Sequence, residues 1–552
     1  MKKGKRIVFS SIITLAIVAA AFYITLPPIN LQSTEFWGFL TFSVVVFGVS
    51  NLVLSINLRS AREAVGHTPI SLKNNKFAIV VIVLALLPML VILVGNISSS
   101  TFFNAKAYAN VITVENAIFE EDMPETDTVS NIALMDSNSA NTIGNRTLGA
   151  LSNVVSQYEI APNYAQINYL GTPKKVANLE YVGFFKWLGN RDTGIPGFVM
   201  VDPVNISAEY VELTKPMKYV DSAFFNEDLL RAVRFRYPTK ILHNFSFEID
   251  EAGNPYYIIA CAKPKVGLFG ALDINEVIKF DPCSGESEIY SVDSTPSWID
   301  TVYTGYLASE KYDWYGLYAN GFWNSVIGNK DCKVTTDDFG YIMIGDDVWY
   351  FTGVTSITSD ESNIGFIISN ARTGEYKFYP IIGAEEYSAM RSAEGEVQEK
   401  RYTASFPSLI NISGEATYIM VLKDDSGIVR LYALVNVEQY TVVATGETQE
   451  SAKRSYIEKL KQEGILDDEL VDDPDLPVVS SATITVSDIK MPVINGETVV
   501  YITDEKGIVY KEKLSQNESL ILLGVGDKIE VFYSDTSIER IKEIESFNAV
   551  NK

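Results

Sequence analysis

The chain of 552 residues carries 69 acidic against 45 basic side chains, a net charge of −24, and 47% of it is hydrophobic. That length exceeds a single hydrophobic core. A surplus of carboxylates with no basic stripe excludes a nucleic-acid binder, whose phosphate contacts need clustered Lys and Arg.

Three apolar runs open the chain, at residues 7–26, 36–56 and 77–94, and none contains Asp, Glu, Lys or Arg. Each is about 20 residues, enough as helix to cross a hydrocarbon layer of roughly 30 Å. A soluble helix of that length would keep a polar stripe. Basic residues gather before the first run (Lys2, Lys3, Lys5, Arg6) and between the second and third (Arg59, Arg62, Lys73, Lys76), while residues 27–35 have none. This bias predicts a cytoplasmic N-terminus and an extracytoplasmic location for everything after about residue 96. Residues 1–21 also have the form of a secretory signal ending in Ala19, Ala20 and Ala21. Cleavage there would leave a two-span hairpin that delivers the remainder to the same side. Transport pathways place ionisable groups inside the membrane, and their absence from the runs argues against a pore built from one chain.

The acidity belongs to the rest of the chain. Residues 1–96 hold 8 basic and 2 acidic side chains, leaving 37 against 67, a net of −30, for residues 97–552. Such a charge keeps an exposed region soluble and repels polyanions. Residues 97–157 read as a mixed segment, with a β-branched strand over Ala105 to Phe119 and then short helices, the last near Thr147 to Gln157. Residues 158–466 read as short strands punctuated by turns, in two or more subdomains. The strand signal is strongest from Phe339 to Pro380. A helix is predicted from Glu385 to Arg401. Another runs from Gln449 to Gln462, with Tyr456, Ile457 and Leu460 on one face. Five Asp, one Glu and two Pro crowd residues 467–477, a composition that resists a core and reads as a linker. Residues 478–552 predict a small OB-like β-barrel. The fold class is therefore a membrane-anchored α+β protein: three N-terminal transmembrane helices, a mainly antiparallel β outer region and a small C-terminal β-barrel-like domain.

One strand opens on Pro255, Tyr256 and Tyr257, and the next runs into Asp281, Pro282, Gly285 and Glu286. This pair resembles the strand pairs of PepSY-type extracytoplasmic modules, which implies a binding or regulatory module and carries over no catalytic residue. Together with the three-span topology, residues 360–366 and 383–390 make the chain similar to a bacterial family of membrane proteins with a large extracytoplasmic β-rich region. No activity follows from that likeness.

The cysteines are Cys261, Cys283 and Cys332. Cys261 ends one strand and Cys283 follows the next, so a disulfide between them is one reading and free thiols the other; a bridge would add about 3 kcal/mol. Their spacing is not that of a metal site. The two histidines, His67 and His243, stand apart, and no Gly-x-Ser-x-Gly or His-Glu-x-x-His pattern accompanies them. Gly267 and Gly270 form a turn without the Lys that a phosphate loop requires. Adjacent carboxylates occur at Asp337 with Asp338, Asp346 with Asp347, Glu385 with Glu386 and Asp424 with Asp425. These are candidates for acid/base work or calcium, but strand neighbours point to opposite faces and the EF-hand spacing is absent. No residue is assigned a catalytic, cofactor-binding or metal-ligating role, and no cofactor is expected. The expected function is a non-enzymatic cell-envelope protein, surrounded by membrane lipid, whose outer region binds a protein, peptide or wall component. The alternatives are a membrane-tethered hydrolase using carboxylates and an accessory subunit of a transport or secretion complex.

Overall fold

A computed structural model describes residues 3–54, 76–126, 132, 134–135, 137–357, 359–466, 480–494, 497–514, 518–535 and 541–549. The chain forms two compact units, Met1–Leu466 and Asp467–Lys552.

The first unit begins with three helices long and apolar enough to cross a membrane: α1 (Lys3–Thr25), α2 (Thr34–Val53) and α3 (Lys76–Ser99). Asn51 of α2 donates to the Ser10 hydroxyl of α1 at 3.2 Å, and both are buried. A polar pair of this kind holds helices together where lipid offers no hydrogen-bond partner. After Ser100 the chain turns into α4 (Thr101–Ala109). Ala105 to Phe119 is therefore not one strand: its first third is helical and only Val114–Asn116 is extended. The helix is decided by packing, since the Tyr108 ring meets Trp314 at 5.1 Å and its hydroxyl bonds the Ser99 carbonyl at 2.8 Å.

Four mainly antiparallel sheets follow, interleaved with helices. The first holds β1 (Tyr158–Ile160), β2 (Ala165–Tyr169), β3 (Thr172–Tyr181), β4 (Ile195–Asp202) and β5 (Ser207–Met217). It is flanked by α5 (Ser137–Gly149), α6 (Phe184–Asn190) and α7 (Leu229–Arg236). The second is the meander β6 (Ile241–Ile249), β7 (Pro255–Val266), β8 (Gly270–Phe280) and β9 (Ser287–Ser291). Alternate residues of β7 supply two cores. Tyr257, Ile259 and Cys261 face the first sheet, while Ile258, Ala260 and Ala262 face α8 (Gly305–Tyr318). Burial on both faces explains why this strand reads as a continuous apolar run rather than an alternation.

The third sheet contains β10 (Lys333–Thr335), β11 (Gly340–Ile344), β12 (Asp347–Ser356), β13 (Ser359–Asn370) and β14 (Tyr376–Tyr379). Val114–Asn116 joins its edge in parallel with β14. Val348, Tyr350 and Ile367 pack towards α8, and Trp349, Phe351, Phe366 and Ile368 pack towards α9 (Glu386–Glu396) and the fourth sheet. That sheet is built on β15 (Ser408–Ile412), β16 (Glu415–Lys423), β17 (Val429–Asn436) and β18 (Val443–Gly446). Its far side is covered by α10 (Gln449–Gln462), on which Tyr456, Ile457 and Leu460 are buried and the Tyr456 hydroxyl meets that of Thr417 at 3.0 Å. Thr448 caps α10 by accepting the Ser451 amide, one of the N-terminal donors that would otherwise lack a partner.

Taken by itself, the second unit is a closed ring of strands. β19 (Ser480–Lys490) pairs with both β20 (Glu497–Asp504) and β22 (Lys528–Asp535), and β21 (Val509–Lys513) pairs with β20. β23 (Ile541–Ala549) closes the ring, antiparallel to β22 and parallel to β21. Five strands closed in this way around Val486, Val500, Ile502, Tyr510, Ile529 and Val531 make an OB-like barrel without free edges. The linker read at residues 467–477 lies outside the described residues.

Candidate functional site

Among the described residues, three strands of the first unit each pair on one side only within their sheets: β2 on β3, β11 on β12 and β15 on β16. Their other edges border a cleft. It comprises two adjoining hollows of about 160 and 250 Å³ that share Gln166, Tyr341 and Ser408 as lining. A third, of about 140 Å³ beside α5, shares Leu134 and Met135 with the larger. An unpaired strand edge presents amides and carbonyls that can bond another extended chain. The protein uses part of one edge itself, for Glu125 bridges Asn411 in parallel and the Thr126 amide donates to the Asn411 carbonyl at 2.9 Å.

The wall chemistry is mixed. Gln166 on β2 and Lys175 on β3 are register partners, and both are buried. Gln166 is 4% exposed and its side-chain nitrogen has no hydrogen-bond partner. An unmet buried amide donor costs about 1–3 kcal/mol. The Lys175 ammonium lies 5.2 Å from the Tyr341 ring centroid. Phe339, Phe406 and Pro407 make the larger hollow apolar elsewhere, and Asp338 is the carboxylate in its wall. The site can therefore hold an apolar or aromatic side chain with a carbonyl oxygen against the Gln166 amide.

The adjacent carboxylates of the sequence have separate fates. Asp347 is clamped by Arg372 through two bonds of 2.8 Å. Asp424 closes the β16–β17 hairpin by accepting the Ser426 and Ile428 amides and pairing with Arg430 at 2.8 Å. Asp337, Asp338, Glu385 and Glu386 surround Tyr387, whose hydroxyl pKa is raised by burial and then by these charges. Glu386 itself turns inward, accepting the Gly353 amide at 2.6 Å and the Thr336 hydroxyl at 3.1 Å. His243 is exposed on β6, and His67 lies outside the described residues. Among the described residues no cluster of His, Cys, Asp and Glu is arranged to hold a metal ion.

A carboxylate pair that the sequence analysis did not single out lies between the sheets. Glu248 on β6 accepts the amides of Asp300 at 2.8 Å and Thr301 at 3.0 Å, and Asp300 accepts the Asn168 amide of β2 at 2.7 Å. Burial raises the pKa of both, and for Asp300 the neighbouring Glu248 charge raises it further. The pair joins the first two sheets from inside and does not open onto the cleft. Neither partner carries a local signature, because the two lie 52 positions apart and nothing near either residue marks the other.

Of the two readings for Cys261 and Cys283, the structure has the free one: all three thiols are unbridged. The β7–β8 register sets Cys261 opposite Glu276, and Cys283 lies seven residues further on. A disulfide needs Cα atoms within about 7 Å. Cys261 is buried in the core and its pKa is pushed up to about 12 by desolvation. Cys283 rises to about 12 as well, through desolvation and then Asp281. Since the thiolate is the reactive form, neither should be alkylated by iodoacetamide at pH 7.5 in the folded protein, and both should react once it is denatured. Mass spectrometry of intact protein reads this directly; rapid native labelling of Cys261 would contradict the core packing.

Compared with known proteins, the chain matches no protein-family model and no curated relative.

Proposed function

We infer that the protein is a membrane-anchored binding protein of the bacterial cell envelope, with its N-terminus in the cytoplasm and its β-rich region outside. In this reading the cleft between β2, β11 and β15 receives an extended segment of a protein, peptide or wall component. The observation that carries the reading is the unpartnered Gln166 amide, buried at a cleft bordered by three strands that pair on one side within their sheets, two of whose edges are already partly used at Asn411 and Asn168. Strand addition supplies main-chain hydrogen bonds and a neighbouring hollow supplies side-chain selectivity. The orientation rests on the basic residues that flank the first span and lie between the second and third.

Photo-crosslinking in intact cells tests it. With p-benzoylphenylalanine in place of Tyr341 or Met343, ultraviolet light should trap one reproducible adduct, and the same label at exposed Ile382 should not. Gln166→Leu should lower the adduct yield about fivefold, the effect of one hydrogen bond of about 1 kcal/mol. Equal trapping at the cleft and at Ile382, or none at either, would remove the binding assignment.

A further inference from the structure

Two aromatic surfaces grow directly out of the span ends. At the end of α1, the Phe22 ring meets Phe235 of α7 at 6.1 Å, and the Arg231 guanidinium stacks on Tyr23 at 4.3 Å. The Tyr23 hydroxyl bonds Asn226 at 3.3 Å. Behind this surface Phe225 and Phe184 both pack on the buried Trp187, each at a ring-centroid distance of 5.6 Å. Phe225 and Phe235 are more than half exposed, and Phe185, whose ring meets Phe184 at 5.6 Å, is 83% exposed.

At the end of α3, Gly95 lets the Phe269 ring approach so closely that a Cβ would sit 2.3 Å from it. The Ser99 hydroxyl accepts the amides of Leu268 and Phe269. Immediately afterwards Phe102 contacts Phe322 at 5.1 Å and Trp323 at 5.8 Å. Phe103, Trp323 and Ile327 are 65%, 64% and 74% exposed.

Depth follows from helix geometry. Phe22 lies three residues before Thr25, and Gly95 four before Ser99. At 1.5 Å per residue, the rings touching them sit about 5 Å within the span ends. Large apolar surfaces left in water are unfavourable, whereas Trp and Phe are favoured at the boundary between headgroups and acyl chains. The attachment is rigid as well: Arg234 bonds the Leu26 carbonyl at 2.9 Å, and the Ile29 amide bonds the Pro238 carbonyl at 2.7 Å.

We propose that the β-rich region of the first unit rests on the bilayer its own helices cross, inserting Phe225 and Phe235 beside α1 and Phe103, Trp323 and Ile327 beside α3 into the phospholipid interface. The occupant is lipid because both surfaces are continuous with the lipid-facing helices. A region seated in this way cannot swing about a linker, so a cleft ligand would be held at one distance from the membrane.

The test uses the full chain as single copies in nanodiscs of phosphatidylcholine and phosphatidylglycerol, with acyl chains brominated near the headgroup or unbrominated. Subtracting the emission of Trp323→Phe from that of the wild type isolates Trp323. Its emission should be blue-shifted and quenched about twofold by brominated lipid, as expected for a side chain 5–10 Å into the interface. Ile327→Trp should add a second quenched emitter, and it carries the test alone if Trp323→Phe fails to fold. Red-shifted emission untouched by bromine at either position would overturn the proposal and leave the surfaces to a protein partner or a second copy.

Discussion

Lys311→Ala is expected to destabilise the first unit by about 3–5 kcal/mol, the usual cost of removing one partner from a buried ion pair. Lys311 on α8 is 3% exposed, and its ammonium donates to Asp273 of β8 at 2.6 Å. It also lies over the rings of Tyr303 at 4.7 Å and Tyr376 at 5.7 Å. Burial lowers its pKa, and Asp273 works against that by favouring the charged form. Once the ammonium is gone, Asp273 keeps Lys265, 3.6 Å away on the half-exposed side. The helix then stands over an undercompensated carboxylate between the second and third sheets. Lys311→Met with Asp273→Leu should recover most of the loss, because no isolated charge remains. Urea unfolding of the full chain in detergent measures both variants; a loss under about 1 kcal/mol for Lys311→Ala would mean that the pair does not hold the layers together.

Glu386→Gln is expected to stabilise the protein at pH 8 by about 3 kcal/mol and to leave it unchanged at pH 4. Burial pushes the Glu386 carboxyl up to about 7 from 4.5, against the opposing hydrogen bonds from Gly353 and Thr336. The folded chain therefore holds this proton over a range where the unfolded chain has lost it. The associated stability is complete below pH 4.5, falls as pH rises, and is lost above pH 7. A difference of 2.5 units at 1.36 kcal/mol per unit gives the magnitude. Glutamine keeps an oxygen for the Gly353 amide and cannot ionise, so the variant lacks this slope. Because Glu248 and Asp300 are also raised by burial, both the wild type and the variant keep a residual slope of the same sign. The quantity to measure is the difference between the two unfolding midpoints from pH 4 to pH 8. A constant difference would place the Glu386 carboxyl in contact with water.

Much of the local structure was legible in the residues. The apolar runs emerge as α1, α2 and α3, because a helix with no polar stripe and no charge has only lipid to face. The periodicity of Tyr456, Ile457 and Leu460 marks the buried face of α10, and both ends of that helix coincide with the reading. The stretch from Ala105 to Phe119 was misread because β-branched and aromatic residues favour strands only weakly. The contact of Tyr108 with Trp314, 206 positions away, outweighs that preference.

The amino-acid sequence alone therefore determined the membrane helices, the predominance of antiparallel strands and the barrel that ends the chain, since these depend on hydrophobic period and turn residues within short windows. Only the tertiary structure decided which sheet faces stack. That choice brings Gln166, Tyr341 and Ser408 to one cleft, buries Glu248 against Asp300, and sets Cys261 and Cys283 apart. Strands of similar length and composition can stack in many orders. The order is selected by complementary packing between residues tens to hundreds of positions apart, which no local pattern encodes.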